Sequence, residues 1–158
     1  RLKNNLFEMK YFAGVVLSVI AFACQNQTLS KDEMTKIVNA GNDRLGYFFK
    51  KGDADSLALM YTSEAQLSLN GYDFATGRDA IRQLWKDDMI SSRVLEMTTK
   101  TLTVEGTKEV IYETGKTFLK LTYKDSTFTT SVKYCNIWRL QTDGSYKLAV
   151  DFSNSDKR

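Results

Sequence analysis

The chain contains no histidine. That absence removes imidazole acid–base catalysis, histidine-based triads and histidine-ligated zinc from consideration. Cysteine is nearly as scarce: Cys24 and Cys135 are the only two, too few for a disulfide framework. Cationic clusters are missing as well. The chain carries 22 Lys and Arg against 19 Asp and Glu, and nothing gathers the basic residues into a stripe that would track a phosphate backbone, so nucleic acid is excluded as a partner. Long apolar runs are absent too. The longest, Tyr11 to Ala23, stops at Cys24 and passes straight into Gln25-Asn26-Gln27, whereas a bilayer-crossing helix needs about 20 apolar residues. There is no internal repeat and no low-complexity segment. No cofactor and no metal is expected.

What is present begins with that short apolar run. Lys10 precedes it, and the small residues Ala21 and Ala23 close it, which is the three-part layout of an export signal. The stretch resembles a bacterial lipoprotein signal in which Ala21-Phe22-Ala23-Cys24 is the lipobox, although Ala21 stands where leucine is most frequent. The resemblance implies cleavage before Cys24 and a lipid on its sulfur. An ordinary signal peptide, or an N-terminal core helix that ends at a cysteine, is the other reading of the same residues.

With Met9 as the start, residues 1–8 lie upstream and are not native, 9–23 are the signal, 24–30 a tether, 31–154 one folded domain and 155–158 a tail. Removing residues 1–23 deletes Arg1, Lys3, Lys10 and Glu8, which takes the charge counts from 22 and 19 to 19 and 18. The expected location is the cell envelope, with the membrane reached through the lipid anchor alone. Gln25 is not the aspartate that holds enterobacterial lipoproteins at the inner membrane, which points to the outer membrane. Cys135, left without an intrachain partner, reads as a small apolar filler in a strand.

The domain opens with helical periodicity. Met34, Ile37, Val38, Gly41, Leu45 and Phe48 recur at steps of three and four, one apolar face of a helix over about 31–50. Lys50-Lys51-Gly52 closes it with positive charge and a glycine. Asp53 caps a second helix carrying Leu57, Ala58 and Met60, residues 65–70 form a short extended piece, and Asn70-Gly71 signals a turn. Gly77-Arg78-Asp79 starts a third helix with Ala80, Ile81, Leu84 and Trp85 as its buried stripe. From Arg93 the period changes to two, over about 93–104, 109–123, 127–141 and 145–153, with tight connections between. Helices followed by an antiparallel meander make an α+β domain.

Read in order, "FFKKGDADSLALMYTSEAQLSLN", "TGRDAIRQLW", "YETGKTFL" and "YCNIWRLQTDGSYKLAVDFSNSD" resemble the landmarks of small SnoaL-like domains of the nuclear transport factor 2 and ketosteroid isomerase superfamily. The leader is similar to those of Bacteroidetes-type lipoproteins that carry such domains. The resemblance implies a cone, with a strongly curved antiparallel sheet wrapped around a long N-terminal helix and a pocket at the open end.

A shared fold does not transfer chemistry. Steroid isomerases of this shape use an aspartate base, a tyrosine and a protonated aspartic acid. By the resemblance those positions fall on Leu69, Leu45 and Asn136. The base is absent, and the neutral amide of Asn70 cannot replace it, so proton abstraction beside a carbonyl is not expected.

Placing Asn136 on the concave face brings Tyr134 and Trp138 to the same side by strand alternation. Ala149, Asp151 and Ser153 follow on the last strand unless a bulge reverses their parity. Asn136, Asp151, Tyr134, Tyr61, Arg78 and Trp138 are therefore the pocket candidates. Tyr134 and Trp138 also read as ordinary core, Asp151 as a group satisfying backbone or Arg78, and Arg78 as a scaffold residue at its helix start. Glu113 is either a pocket carboxylate or an exposed strand residue. Three functions follow: a module binding a small, largely apolar molecule, which is preferred; an enzyme using Asp151 with Asn136 or a tyrosine; and a homodimeric interaction module. A raised Asp151 pKa would favour the enzyme.

Overall fold

The computed structural model describes residues 28–156; the signal, lipobox and Cys24 readings lie outside the described residues. Helix α1 runs Lys31–Lys51 and begins as its sequence requires. The Ser30 hydroxyl accepts from the Glu33 amide at 3.2 Å while the Glu33 carboxylate accepts from the Ser30 amide at 2.8 Å, a reciprocal cap that satisfies orphan donors of the first turn. Gly52, at φ 68°, ends the helix in a left-handed conformation that side chains resist.

The short helix α2, Ala54–Ala58, is capped by Asp53, which accepts from the Ser56 amide at 2.9 Å. Strand β1, Tyr61–Ser68, and the two-residue β2, Ala75–Thr76, lead into α3, Arg78–Ser91. Four long strands complete the chain: β3 Ser92–Gly106, β4 Val110–Tyr123, β5 Ser126–Leu140 and β6 Tyr146–Ser155.

These form one six-stranded sheet in the order β2-β1-β6-β5-β4-β3. The β3–β6 portion is the expected antiparallel meander, whereas β1 joins β6 in parallel, with Leu67 opposite Asp151. The sheet curls around α1. Bulges supply the bend, because an extra residue on one strand increases local twist and tilts the ladder. On β3 the extra residues are Leu95 and Leu102, and on β6 the register slips at Ala149.

Inside the cone, Val38, Leu57, Leu67, Ile81, Ile111, Trp138 and Leu148 make a core that water does not reach. Phe49 of α1 meets Trp85 of α3 edge to face at 4.8 Å. Outside it, Tyr112, Phe118 and Phe152 remain exposed. Among the described residues no helix is long and apolar enough to cross a membrane.

Three local expectations differ from what forms. The first strand starts at Tyr61, four residues before the expected start at 65, because Tyr61 and Thr62 are both buried as the chain passes beneath the helices and hide the alternation. Ala80 is exposed, which narrows the buried stripe of α3 to Ile81 and Trp85. Beyond residue 154, β6 continues to Ser155, and Asp156 accepts from Lys116 at 2.8 Å, which ties the strand end to β4.

Candidate functional site

Between α1 and the concave face of the sheet lies a cavity of about 360 Å³. Its walls are apolar, with Leu45 and Phe49 from α1, Met97 from β3, and Leu119 and Leu121 from β4. Its polar floor is built by Asn42, Tyr134, Asn136 and Asp151. This is the usual make-up of a small-molecule site.

Of the six sequence candidates, Tyr134, Asn136 and Asp151 line the cavity and the other three do not. Tyr61 is fully buried behind Asp151 and donates its hydroxyl to Asp151 Oδ2 at 2.6 Å. Trp138 is core, its indole N–H donating to Glu113 at 2.9 Å. Arg78 is scaffold: its Nε donates to the Tyr61 carbonyl at 3.1 Å and ties the start of α3 to β1. These three assignments are corrected by depth and direction, which strand alternation does not carry. Leu69, Leu45 and Asn136, the positions taken from the steroid isomerase pattern, all line the cavity.

The bulge at Ala149 also corrects the parity expected for β6. Asp151 opposes Asn136 and Leu148 opposes Trp138, so the register slips one residue between the two pairs. Leu148, fully buried, therefore takes the place expected for Ala149, while Asp151 and Ser153 still face the cavity.

Glu113 is the residue whose importance sequence reading left undecided. Its side chain is entirely buried, and donors converge on it. Asn42 Nδ2 lies 3.1 Å from Oε2, Thr101 Oγ1 3.1 Å and the Tyr134 hydroxyl 3.2 Å, with the Trp138 indole on Oε1. A buried carboxyl group costs several kcal/mol unless its oxygens are met in this way. The signal was faint but present. Asn42 interrupts the buried face of α1 between Val38 and Leu45, and Glu113 alternates with Ile111 on the inward side of β4.

Asn136 stands between the two carboxyl groups. With its nitrogen toward Asp151 the amide donates to Oδ1 at 3.2 Å and to the Cys135 carbonyl at 3.3 Å. Turned the other way it reaches Glu113 Oε1 only at 3.4 Å and sets its oxygen against acceptors. The first orientation is the one we adopt.

Burial pushes the Asp151 carboxyl up from 3.8 to about 6; the Tyr61 hydrogen bond opposes the rise and the negative charge of Glu113 adds to it. Its side chain is deep, yet part of its surface opens on the cavity. Burial likewise raises both tyrosines, Tyr61 and Tyr134, so their hydroxyls stay protonated and act as donors. Trp85 Nε1 is the one buried side-chain atom among the described residues outside hydrogen-bond geometry. It lies close enough to the Tyr61 hydroxyl to ease its ionisation. The floor thus holds one carboxyl group able to exchange a proton near neutral pH, held by a tyrosine and an asparagine.

No protein-family model matches the chain, and no curated protein matches it in sequence. Solved structures do match in shape. A ketosteroid isomerase-like protein from Erwinia carotovora atroseptica superposes with a TM-score of 0.72 at 14% identity, over 82% of this chain and 100% of its own. A nuclear transport factor 2-like protein with a cystatin-like fold from Novosphingobium aromaticivorans gives 0.61 at 16%, over 79% and 83%. A nuclear transport factor 2-like protein from Cytophaga hutchinsonii gives 0.66 at 11%, over 80% and 99%. At these identities the likeness shows the fold, an α+β cone of the nuclear transport factor 2-like, cystatin-like type.

Proposed function

We propose that this protein is a lipid-anchored module of the cell envelope that binds a small, largely apolar molecule inside the cone. The observation that carries the reading is the cavity itself, whose apolar walls rise from a floor of Asn42, Tyr134, Asn136 and Asp151. A saturable fluorescence increase of Nile red, a neutral apolar dye, on titration with the full chain is the expected outcome. Leu119→Trp, which fills the wall, should abolish it while the circular dichroism spectrum is unchanged. Dye binding that does not saturate, or that the folded variant retains, would remove the reading.

The anchor reading rests on the Cys24 lipobox, and the outer-membrane reading on Gln25 in place of the retaining aspartate. Exposed Tyr112, Phe118 and Phe152 favour a homodimer through the outer sheet face, which light scattering would register as a doubled mass.

One observation favours a second reading, in which the cone is an enzyme. Asp151, with a pKa near 6 and a tyrosine and an asparagine beside it, has the poise of a general acid or base. A turnover that Asp151→Asn eliminates, in a protein that still binds Nile red, would establish it.

A further inference from the structure

The hydrogen-bond arrangement of the floor narrows the chemistry of the molecule that the cone accepts, a refinement that rests on the binding function proposed for the cavity. Most floor donors are already committed. Asn42, Thr101 and Tyr134 direct theirs to Glu113, and Tyr61 directs its own to Asp151. Asn136 turns its nitrogen toward Asp151 and the Cys135 carbonyl; among the described buried side chains only the Trp85 indole N–H, near the Tyr61 hydroxyl, is left without an acceptor. By taking up so many donors, Glu113 leaves the floor rich in acceptors. A ligand that pairs with Asp151 must bring a donor.

Charge points the same way. Among the described residues lining the cavity, the charged ones are Asp151 and Asp88, and no lysine or arginine lines it. Among the described residues neither aspartate takes part in an ion pair of the kind formed by Asp55, Asp79 or Asp156 on the surface. Glu113 lies behind the floor, where its charge acts on Asp151. In a low-dielectric recess these groups focus a negative potential, which repels carboxylates and phosphates and attracts a cation. Aromatic faces supply the remainder. Phe49, Trp85, Tyr123, Phe128 and Tyr134 all line the cavity, and aromatic walls combined with a carboxylate are the environment that stabilises an ammonium group out of water.

We propose that the cavity takes a hydrophobic amine, with its protonated nitrogen against Asp151 at the floor and its apolar body along the Leu45, Met97, Leu119 and Leu121 walls. Asp151 is then the counter-ion and selects for charge, while the walls select for apolar bulk. A neutral alcohol satisfies the same acceptor but leaves the carboxylate unpaired, and therefore binds less well.

A matched series separates these cases: 4-phenylbutylamine, 4-phenylbutanol and 4-phenylbutyrate share one apolar body and differ in the end group. Calorimetric titration into the full chain at neutral pH should show the amine binding about tenfold more tightly than the alcohol, the margin of a charge-assisted over a neutral contact, and the acid not at all. Asp151→Asn should bring amine and alcohol to equal affinity. Leu121→Lys, which places a cation in the wall without touching the floor, should reverse the order so that the acid binds and the amine does not. This second variant keeps the test decisive if Asp151→Asn fails to fold. Alcohol or acid binding as tightly as the amine would overturn the proposal. If Nile red binds and the amine shows no preference, this inference falls and the cavity reading stands. If neither Nile red nor any member of the series binds, both fall.

Discussion

Asp151 and Glu113 divide two tasks between two acidic residues, and each task predicts a different response to substitution. The Asp151 carboxyl holds its proton more tightly in the fold, near 6, than at its ordinary 3.8. The folded state therefore binds more protons than the unfolded chain between those values, and stability falls as pH rises through that window. Below about pH 4 there is no cost; above about pH 6 it is complete, and about 2 units at about 1.4 kcal/mol each place it near 3 kcal/mol. Relative to Asp151→Asn, the parent's melting temperature should accordingly fall as pH rises from about 4 to about 6, on top of a pH-independent cost to the variant from turning an N–H toward Tyr61 or Asn136. A parent that instead gains on the variant over that window would reverse the sign and remove the argument.

Glu113 predicts the opposite, because its oxygens hold Asn42, Thr101, Tyr134 and Trp138 together. Glu113→Leu orphans those buried donors and should cost about 3–5 kcal/mol. Glu113→Gln retains one acceptor oxygen but turns an N–H toward the other donors, and should cost about 1–3. Urea denaturation of both variants checks the order. A further expectation concerns Leu69, which lines the cavity and, by the resemblance to the steroid isomerases, takes the position of their base. Isomerisation of an unsaturated ketosteroid by the full chain should not exceed background, and a rate above it would show that another residue takes the proton.

At the scale of elements, α1 and β5 meet through a glycine. A Cβ on Gly41 would lie 2.5 Å from Trp138 Cη2 and 2.9 Å from Cζ3, so the helix approaches the sheet only because that position has no side chain. Helix propensity favours alanine over glycine by about 1 kcal/mol, whereas overpacking a filled core costs about 1–3. The indole is fixed at its other end by Glu113 and cannot retreat, so overpacking prevails. Gly41→Ala should lower stability by about 1 kcal/mol net and alter tryptophan fluorescence; a stabilised variant with an unchanged spectrum would mean that the helix shifts freely.

Strand elements carry a comparable constraint. Without the extra residue at Ala149, β6 would keep one parity from Leu148 onward and present either Leu148 or Asp151 to the interior, but not both.

For the whole molecule, the proposed anchor would make the cone one part of a larger arrangement. The Cys24 reading predicts that the protein expressed in a bacterium is acylated and recovered with membranes, and that Cys24→Ser abolishes both. Metabolic labelling with a palmitate analogue and fractionation read the two quantities. A variant as membrane-bound as its parent would remove the anchor and leave the cone unaffected.

Much of this architecture was legible in the chain. The capped helix from Lys31, the third helix at Arg78 and the period-two runs of the last four strands depend on contacts between near neighbours: caps reach three residues, helical faces four, strand faces two. What the tertiary structure alone decided lies in pairs remote along the chain. Asn42 meets Glu113 across 71 residues, and Tyr61 meets Asp151 across 90. The β6 bulge decides which of its residues reach the interior at all. No local pattern encodes those encounters, because strand register and helix docking set which polar groups share a buried volume. Burial in turn determines how strongly each holds its proton, and so distinguishes Asp151 from the other aspartates of the chain.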